Sequence, residues 1–240
     1  DLINIAIEAE DLCPRYAGRV VTNVEVKESP EWLKQKLEKA GIRPVNNVVD
    51  VTNFVLLELG LPLHPFDYDQ LEGQQIVVRR PEPGEKLVTL DDEERDLDDD
   101  MLLIADANKA VCIAGVMGGA NSEVTAETNT VFLEGANFDR VSVRKTAQQL
   151  GIHSEASHRF ERGVDINAVE LALDRAAELI SELGSGVVIG GINDVYPEPK
   201  EEQEIKLRPT RVRKVLGLDL AKVNIKTLLE RLHFTVEDKG

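Results

Sequence analysis

The sequence has few cysteines and no long apolar run. Its two cysteines, Cys13 and Cys112, are far apart and predict neither a disulfide framework nor a zinc-binding spacing. No apolar stretch approaches the roughly 20 residues of a membrane span, and the first residues show no signal-peptide pattern. These absences favour a reducing cytoplasm and no membrane partner. The missing initiator Met predicts an excised fragment.

Positive charge is also scarce, and it is unevenly distributed. The net charge of −16 argues against a general nucleic-acid-binding surface. Residues 205–240 nevertheless hold nine Lys/Arg and four Asp/Glu, a balance of +5, so residues 1–204 carry −21. This change of sign predicts two units with different partners. We expect a domain over 1–196, a Pro- and charge-rich linker over 197–204 and an incomplete unit over 205–240.

Short apolar runs and helical patterns follow one another without strict alternation, which predicts an α+β fold. β-branched runs broken by turn signals predict strands over 17–28, within 75–138 and over 186–196. Apolar spacing and end signals predict helices over 30–40, 46–59, 141–150, 167–183, 208–216 and 223–232. We therefore expect mixed or antiparallel strands with flanking helices, followed by a truncated small helical segment.

The stretch VVDVTNFVLLELGLPLHPFD, residues 48–67, is nearly all apolar but contains Thr52, Asn53 and His64. Two prolines flank His64 closely and restrict its backbone. That rigidity suits a positioned side chain, but it suits a plain turn as well. A lone histidine in a loop is more often a surface or satisfied core residue than part of a site.

Two further stretches contain candidate ligand-binding residues. The run Gly115-Val116-Met117-Gly118-Gly119 lacks the order of a phosphate-binding loop, but glycines after a buried strand can let a flat ligand lie on the backbone. Glu134, in the strand pattern TVFLEGANFD, shares a face with Phe132 and Ala136. A partly buried carboxylate there needs a hydrogen-bond donor, either from the protein or from a ligand hydroxyl.

The polar segment HSEASHRFER, residues 153–162, does not have the spacing of a metal or nucleophile motif. His153 and His158 are five residues apart, whereas zinc-binding helices use four, and no GxSxG elbow is present. The acidic tract 91–100 lacks the ligand pattern of a calcium loop and favours a solvated hairpin. Residue chemistry alone thus predicts a soluble α+β domain and leaves its function open.

Four motifs, in order, carry a resemblance to a known family: NNVVDVTNFVLLELGLPLHPFDYDQL, IAGVMGGANSEV, VFLEGANFD and GIHSEASHRFERGVD. They resemble the β subunit of bacterial-type phenylalanyl-tRNA synthetase, in particular its editing module, conventionally its third and fourth domains. The resemblance runs from about residue 12 to residue 196. The basic tail from Ile205 is similar to the start of the following domain.

The resemblance implies part of a phenylalanine–tRNA ligase of protein biosynthesis, with a local activity that hydrolyses the aminoacyl ester of mischarged Tyr-tRNA(Phe). Such a second site is physically sensible, because a mainly hydrophobic synthetic pocket cannot strongly exclude an analogue that only adds a hydroxyl. A site built to hydrogen-bond a phenol can discriminate by about 10⁴–10⁵. The alternative is a non-catalytic scaffold module that binds tRNA or another subunit. An unrelated Ser/His hydrolase is less favoured.

The resemblance also assigns roles to residues. His64, Thr52 and Asn53 are implied near the ester and the terminal adenosine, where His64 either positions the attacking water or acts as its base. Glu134 is implied to read the phenol. The implied lining of the amino acid slot comprises Gly115, Val116, Met117, Gly118, Ser154 and Ala156.

Partners and cofactors follow from the same resemblance. The implied partners are the tRNA(Phe) acceptor end, tyrosine or a related amino acid, and the catalytic α subunit of an α2β2 enzyme. No cofactor or metal is implied in this fragment, since ATP and Mg would belong to the catalytic subunit. Two departures from the family pattern, Pro65 and Asn137, leave the fine amino acid preference open.

Overall fold

Strands and helices alternate irregularly along the computed structural model, which describes residues 3–199 and 204–239. The strands are β1 (Asn4–Ile7), β2 (Arg15–Thr22), β3 (Leu63–Asp67), β4 (Gln75–Arg79), β5 (Lys86–Val88), β6 (Glu94–Asp96), β7 (Leu103–Ala105), β8 (Ala110–Ile113), β9 (Met117–Gly118), β10 (Val131–Asn137) and β11 (Val187–Val195). The helices are α1 (Glu31–Lys39), α2 (Asn47–Leu59), α3 (Arg140–Leu150), α4 (Glu155–Phe160), α5 (Ala168–Gly184), α6 (Pro209–Leu216) and α7 (Lys222–Glu230). The predicted α+β class is confirmed.

Residues 1–198 form one of two compact units, and residues 199–240 form the other. The first unit contains two main sheets. One sheet has the strand order β11-β2-β10-β3 and is antiparallel throughout. The other has the order β1-β4-β7-β8-β9, and only its β1–β4 pair is parallel. Strands β5 and β6 form a separate hairpin that carries most of the acidic tract.

The antiparallel four-stranded sheet lies between two hydrophobic cores. Alternate side chains of a strand point to opposite faces, so β10 contributes to both cores. Val131 and Leu133 pack with α1, α2 and α5, whereas Phe132 and Ala136 pack with the five-stranded sheet, α3 and α4. The second of these two cores, between the sheets, is called the inter-sheet core below.

Capping residues set the ends of helix α2, which leads into strand β3 of the four-stranded sheet. The side chain of Asn46 accepts hydrogen bonds from the amides of Val48 and Val49 and caps α2, and Gly60 ends it in the left-handed conformation with φ of 76°. The chain then enters β3, so His64 lies in a strand and not in the predicted loop. Pro65 is tolerated there because β3 is the edge strand of its sheet.

Several local assignments from the sequence were incomplete. The strand predicted over 17–28 ends at Thr22, because Asn23 adopts a left-handed φ of 56° that breaks extended backbone. Strands β1 and β3 and the short helix α4 had no sequence prediction. The other helices were predicted to within a few residues of their ends.

The second unit contains α6 and α7, each near the position predicted for it. Pro209 opens α6, and Gly217 closes it with φ of 67°. Part of the predicted linker, residues 200–203, lies outside the described residues. Across the described chain, none of the helices has the length and apolar character needed to cross a bilayer.

Candidate functional site

Strand β10 places Glu134 inside the inter-sheet core. In the antiparallel register, Glu134 lies opposite Gly18 of β2 on one side and opposite His64 of β3 on the other. Glu134 shares its face with Phe132 and Ala136, as the alternation predicted, and is only 5% exposed. Directly opposed residues have Cβ atoms about 5 Å apart, so the carboxylate and the imidazole start from adjacent positions on one face.

The Glu134 carboxyl group is held by a buried phenol. The hydroxyl of Tyr16, which is fully buried on β2, donates a hydrogen bond of 2.7 Å to Oε2 of Glu134. Burial raises the pKa of Glu134 to about 7, although the Tyr16 hydrogen bond acts in the opposite direction. Loss of hydration disfavours the charged form, and a single donor compensates only part of that loss.

The other oxygen of this carboxyl group has no donor among the described residues. Oε1 of Glu134 takes part in none of their hydrogen bonds. Within the described chain, however, every fully buried side-chain oxygen or nitrogen atom has a hydrogen-bond partner. Oε1 therefore retains access to solvent, although the residue as a whole is buried.

His64 bridges the two sheets. Its ring packs edge-to-face on Phe66, with centroids 4.5 Å apart, and it lies against the backbone of Gly118 in β9. A Cβ atom at Gly118 would lie 2.4 Å from Cε1 of His64, so this contact requires glycine. Burial lowers the pKa of His64 to about 4, which keeps the imidazole neutral at neutral pH.

The imidazole makes no hydrogen bond with any of the described residues, and the residue is half-buried. By the reasoning used for Oε1, its nitrogens remain open to solvent. A neutral imidazole offers one donor and one acceptor nitrogen. It can therefore hold a water molecule beside the buried carboxylate.

The glycine-rich turn closes one end of this layer. Gly115 has φ of 69°, and a Cβ there would lie about 3 Å from the rings of Phe138 and Phe160. Val116 is buried, whereas Met117 is half-buried and packs against the inter-sheet core. The turn therefore brings backbone close to aromatic and imidazole rings of the protein itself. That a flat ligand lies on this backbone stays a prediction.

Helix α4 joins the turn through Ser154. Its hydroxyl donates a hydrogen bond of 2.7 Å to the carbonyl oxygen of Val116, and it accepts one from the amide of Ser157 to cap the helix. Ala156, on the first turn of α4, is half-buried against the inter-sheet core. Ser154 and Ala156 thus lie in the same layer as the turn and Glu134.

Thr52 and Asn53 are placed differently. Both lie on α2, whose buried residues pack with Leu133 on the opposite face of the sheet from Glu134. The Thr52 hydroxyl donates to the Val49 carbonyl oxygen of its own helix at 2.8 Å. The assignment of these two residues to the ester stays a prediction, and their geometry gives it no support.

Tyr16 is the member of the site that sequence reasoning missed. Tyr16 and Gly18 are two residues apart and share a face of β2, so a longer predicted strand would have included both. Their pairing with Glu134, more than 110 residues away, depends on strand register. The sequence contains no signal for that register.

A cleft with a volume of about 530 Å³ lies elsewhere, beside β5 and β8. Of its charged lining residues, Arg79 pairs with Glu85, which also lines the cleft, whereas Lys86 pairs with Glu94 outside it. None of the predicted site residues lines this cleft.

The fold and the site define an α+β domain in which a buried carboxyl group faces a histidine across adjacent strands. The sequence matches the B3/4 domain family over residues 12–185, and the chain belongs to that family. This finding confirms the resemblance drawn from the four motifs.

The relatives with similar sequences are phenylalanine–tRNA ligase beta subunits. The chain is 52% identical over 239 residues to the phenylalanine–tRNA ligase beta subunit of Moorella thermoacetica, and 49% identical over 234 residues to that of Carboxydothermus hydrogenoformans. These alignments cover 100% and 98% of this chain, but only 30% and 29% of the relatives. The chain therefore spans less than a third of the length of these relatives.

A solved structure supports the fold. An N-terminal fragment of the phenylalanyl-tRNA synthetase beta subunit from Pyrococcus horikoshii aligns with a TM-score of 0.51 and 17% identity. The alignment covers all of this chain and 67% of that fragment.

Proposed function

We propose that this chain is the B3/4 part of a phenylalanine–tRNA ligase beta subunit, and that its Glu134–His64 site hydrolyses the ester of mischarged Tyr-tRNA(Phe). Family membership and the names of the relatives support the first part of this proposal. The second part rests on one observation, a buried carboxyl group that is held at one oxygen by Tyr16 and lies directly opposite a histidine.

Selection of tyrosine follows from the surroundings of Glu134. Glu134 lies on the face of β10 that contributes Phe132 and Ala136 to the inter-sheet core, so a ring that binds there meets a mainly apolar layer. The hydroxyl of tyrosine can donate to Oε1, whereas phenylalanine would cover that oxygen without replacing its water. A buried polar group left without a partner costs about 1–3 kcal/mol, so the site disfavours the correct amino acid.

Hydrolysis requires little further chemistry from the protein. The ester is already activated, so a water molecule on the imidazole of His64 is a sufficient nucleophile. Because burial holds the pKa of His64 near 4, the ring is neutral and can accept a hydrogen bond from that water. A base with this low pKa orients water more effectively than it removes a proton. We therefore assign His64 mainly a positioning role toward the water.

The proposal also defines partners. Relatives named as beta subunits imply an α subunit, which would carry the synthetic site and its ATP and Mg. The first 204 residues carry −21, so binding of a whole tRNA to this surface alone would be repulsive. Only the single-stranded acceptor end has to enter, and other parts of the enzyme would supply the affinity for the rest of the tRNA. Such an enzyme would act in the cytoplasm.

Deacylation by the complete ligase tests the proposal. We expect Glu134→Ala to slow hydrolysis of Tyr-tRNA(Phe) by roughly 10- to 100-fold, the effect of losing a hydrogen bond to a charged group. Hydrolysis of Phe-tRNA(Phe) should rise or stay the same, because the variant no longer has a buried carboxylate that phenylalanine would leave without a partner. The matched control is Glu127→Ala, which removes an exposed carboxylate from the loop before β10, and it should behave as wild type. Charging with phenylalanine checks that each variant is folded.

Two results would contradict this proposal. Undiminished hydrolysis of Tyr-tRNA(Phe) by Glu134→Ala would remove Glu134 as the selecting group. No hydrolysis by the wild-type enzyme would leave the non-catalytic scaffold as the better description.

A further inference from the structure

Tyr16 has an unusual position for a tyrosine. It lies on β2 opposite Ala136, on the same face as Glu134 and one step along the sheet from it. Its side chain is fully buried, and its hydroxyl has Glu134 as its hydrogen-bond acceptor at 2.7 Å. Buried tyrosine hydroxyls usually find a partner, but a buried carboxyl group is an uncommon one.

Tyr16 hydrogen-bonds to one of the two carboxyl oxygens of Glu134 and leaves the other available to a ligand. An ionised carboxylate has two oxygens and about four acceptor positions. Tyr16 takes Oε2, and Oε1 is the oxygen that stays open to solvent. A hydrogen bond to one oxygen restricts rotation of the carboxyl plane, so the other oxygen keeps a defined direction.

We propose that Tyr16 is a positioning residue for amino acid selection, which fixes Glu134 through Oε2 so that Oε1 alone meets the hydroxyl of the substrate's phenol ring. This inference rests on the proposed function of the Glu134–His64 site and deepens it. Tyr16 itself does not touch the substrate. It acts by preorganising the acceptor, so its removal should weaken the discrimination between tyrosine and phenylalanine.

The groups around Glu134 make this role measurable. Tyr16 lies on β2, His64 on β3, Cys112 on β8 and Cys13 in the turn before β2. Burial, reinforced by the negative charge of Glu134, raises the pKa of Tyr16, Cys13 and Cys112 above their usual ranges. Burial lowers the pKa of His64 to about 4. These four groups are therefore neutral between roughly pH 6 and 8, whereas Glu134, which they surround, changes charge in that range.

The sign of the expected pH effect follows from the hydrogen bond. The ionised carboxylate accepts a stronger hydrogen bond from the substrate's phenol hydroxyl than the neutral acid does. Selection should therefore improve as the pH rises through the pKa of Glu134, which is about 7. The Tyr16 hydroxyl holds this pKa down. Without that hydroxyl the pKa rises, so the midpoint of selection moves to higher pH.

The experiment measures the ratio of Tyr-tRNA(Phe) to Phe-tRNA(Phe) hydrolysis by the complete ligase from pH 6 to 8.5, with spontaneous ester loss subtracted. We expect Tyr16→Phe to lower this ratio roughly two- to tenfold at pH 7, as for one neutral hydrogen bond. This variant should also move the pH midpoint of selectivity upward. For Tyr-tRNA(Phe) it should raise KM more than it lowers kcat. The matched control Tyr196→Phe removes a phenol hydroxyl from the same unit and should keep the wild-type midpoint.

A double-mutant cycle separates positioning from a general packing defect. If Tyr16 acts through Glu134, adding Tyr16→Phe to Glu134→Ala should cause no further loss of selectivity. The role of Tyr16 would be overturned if Tyr16→Phe kept the wild-type hydrolysis ratio and the wild-type pH midpoint of selectivity. Full additivity of the two substitutions in the double variant would overturn it as well. Either result would leave the proposed function standing. Full Tyr-tRNA(Phe) hydrolysis by Glu134→Ala would overturn the proposed function, and this inference with it.

Discussion

A single residue, Glu134, carries both the proposed selectivity and a cost to folding. Its pKa rises from 4.5 to about 7 on burial, so the folded protein holds a proton that the unfolded chain releases. Stability contributed by this group is therefore present below pH 4.5 and declines as the pH rises toward 7. The shift corresponds to about 3 kcal/mol. Sites that bind a polar group in an apolar layer commonly sacrifice stability in this way.

This cost predicts a pH-dependent gain in stability for Glu134→Gln, which keeps the shape of the side chain but cannot ionise. Relative to wild type, its free energy of unfolding should increase by up to about 3 kcal/mol between pH 4.5 and 8. Denaturation followed by fluorescence of Trp32, the one tryptophan, measures it. The difference between the two proteins is the relevant quantity, because the lowered pKa of His64 acts in the opposite direction below pH 6.5. A difference that does not change with pH would show that Glu134 is ionised normally.

The face of Glu134 could be predicted from sequence, because alternation along one strand is a local property. Its partner could not. Tyr16 reaches Glu134 through a pairing between strands more than 110 residues apart, and such a register depends on the packing of the whole domain. The same limit explains why the stacking of His64 on Gly118 was not foreseen.

At the scale of elements, the polar residues of the motif NNVVDVTN in helix α2 stabilise the fold. Asp50 is fully buried and accepts hydrogen bonds from the hydroxyl of Ser29 at 2.6 Å and from the amide of Val45 at 2.8 Å. Asn47 accepts from the amide of Lys27 and donates to the carbonyl oxygen of Glu25. The polar positions of NNVVDVTN thus tie α2 to the segments before and after α1. The length of the segment and its end signal at Gly60 predicted the helix, but they could not show which polar residues are used in this way.

We predict that Asp50→Ala destabilises the first unit by roughly 2–4 kcal/mol, since it leaves a buried hydroxyl and a backbone amide without acceptors. Ser29→Ala should cost less, because it removes one partner and leaves no orphaned backbone group. Denaturation followed by Trp32 measures both. Hydrolysis of Tyr-tRNA(Phe) per folded molecule should be unchanged in both variants. Loss of hydrolysis without loss of stability would instead bring α2, with Thr52 and Asn53, into the site.

At the scale of the whole molecule, the two units differ in what stabilises them. Both hydrophobic cores consist of residues between Ile3 and Val195. In the described part of the second unit, Ile225 is the one buried hydrophobic residue, whereas Leu216, Leu232 and Phe234 are exposed. The change in charge balance predicts a separate unit from residue 205 onward. It could not show that two amphipathic helices would lack a core, because that depends on what packs against them.

This difference predicts how each unit behaves in isolation. A chain of residues 1–198 retains both cores, so it should unfold cooperatively, with a Trp32-monitored midpoint within a few degrees of the value for the full chain. A chain of residues 199–240 should have little helix by circular dichroism, because α6 and α7 have only eight and nine residues, and isolated helices shorter than about 12–15 residues are marginal in water. Non-cooperative unfolding of 1–198 would show that its cores are insufficient alone, and stable helix in 199–240 would show that local propensity outweighs the missing core.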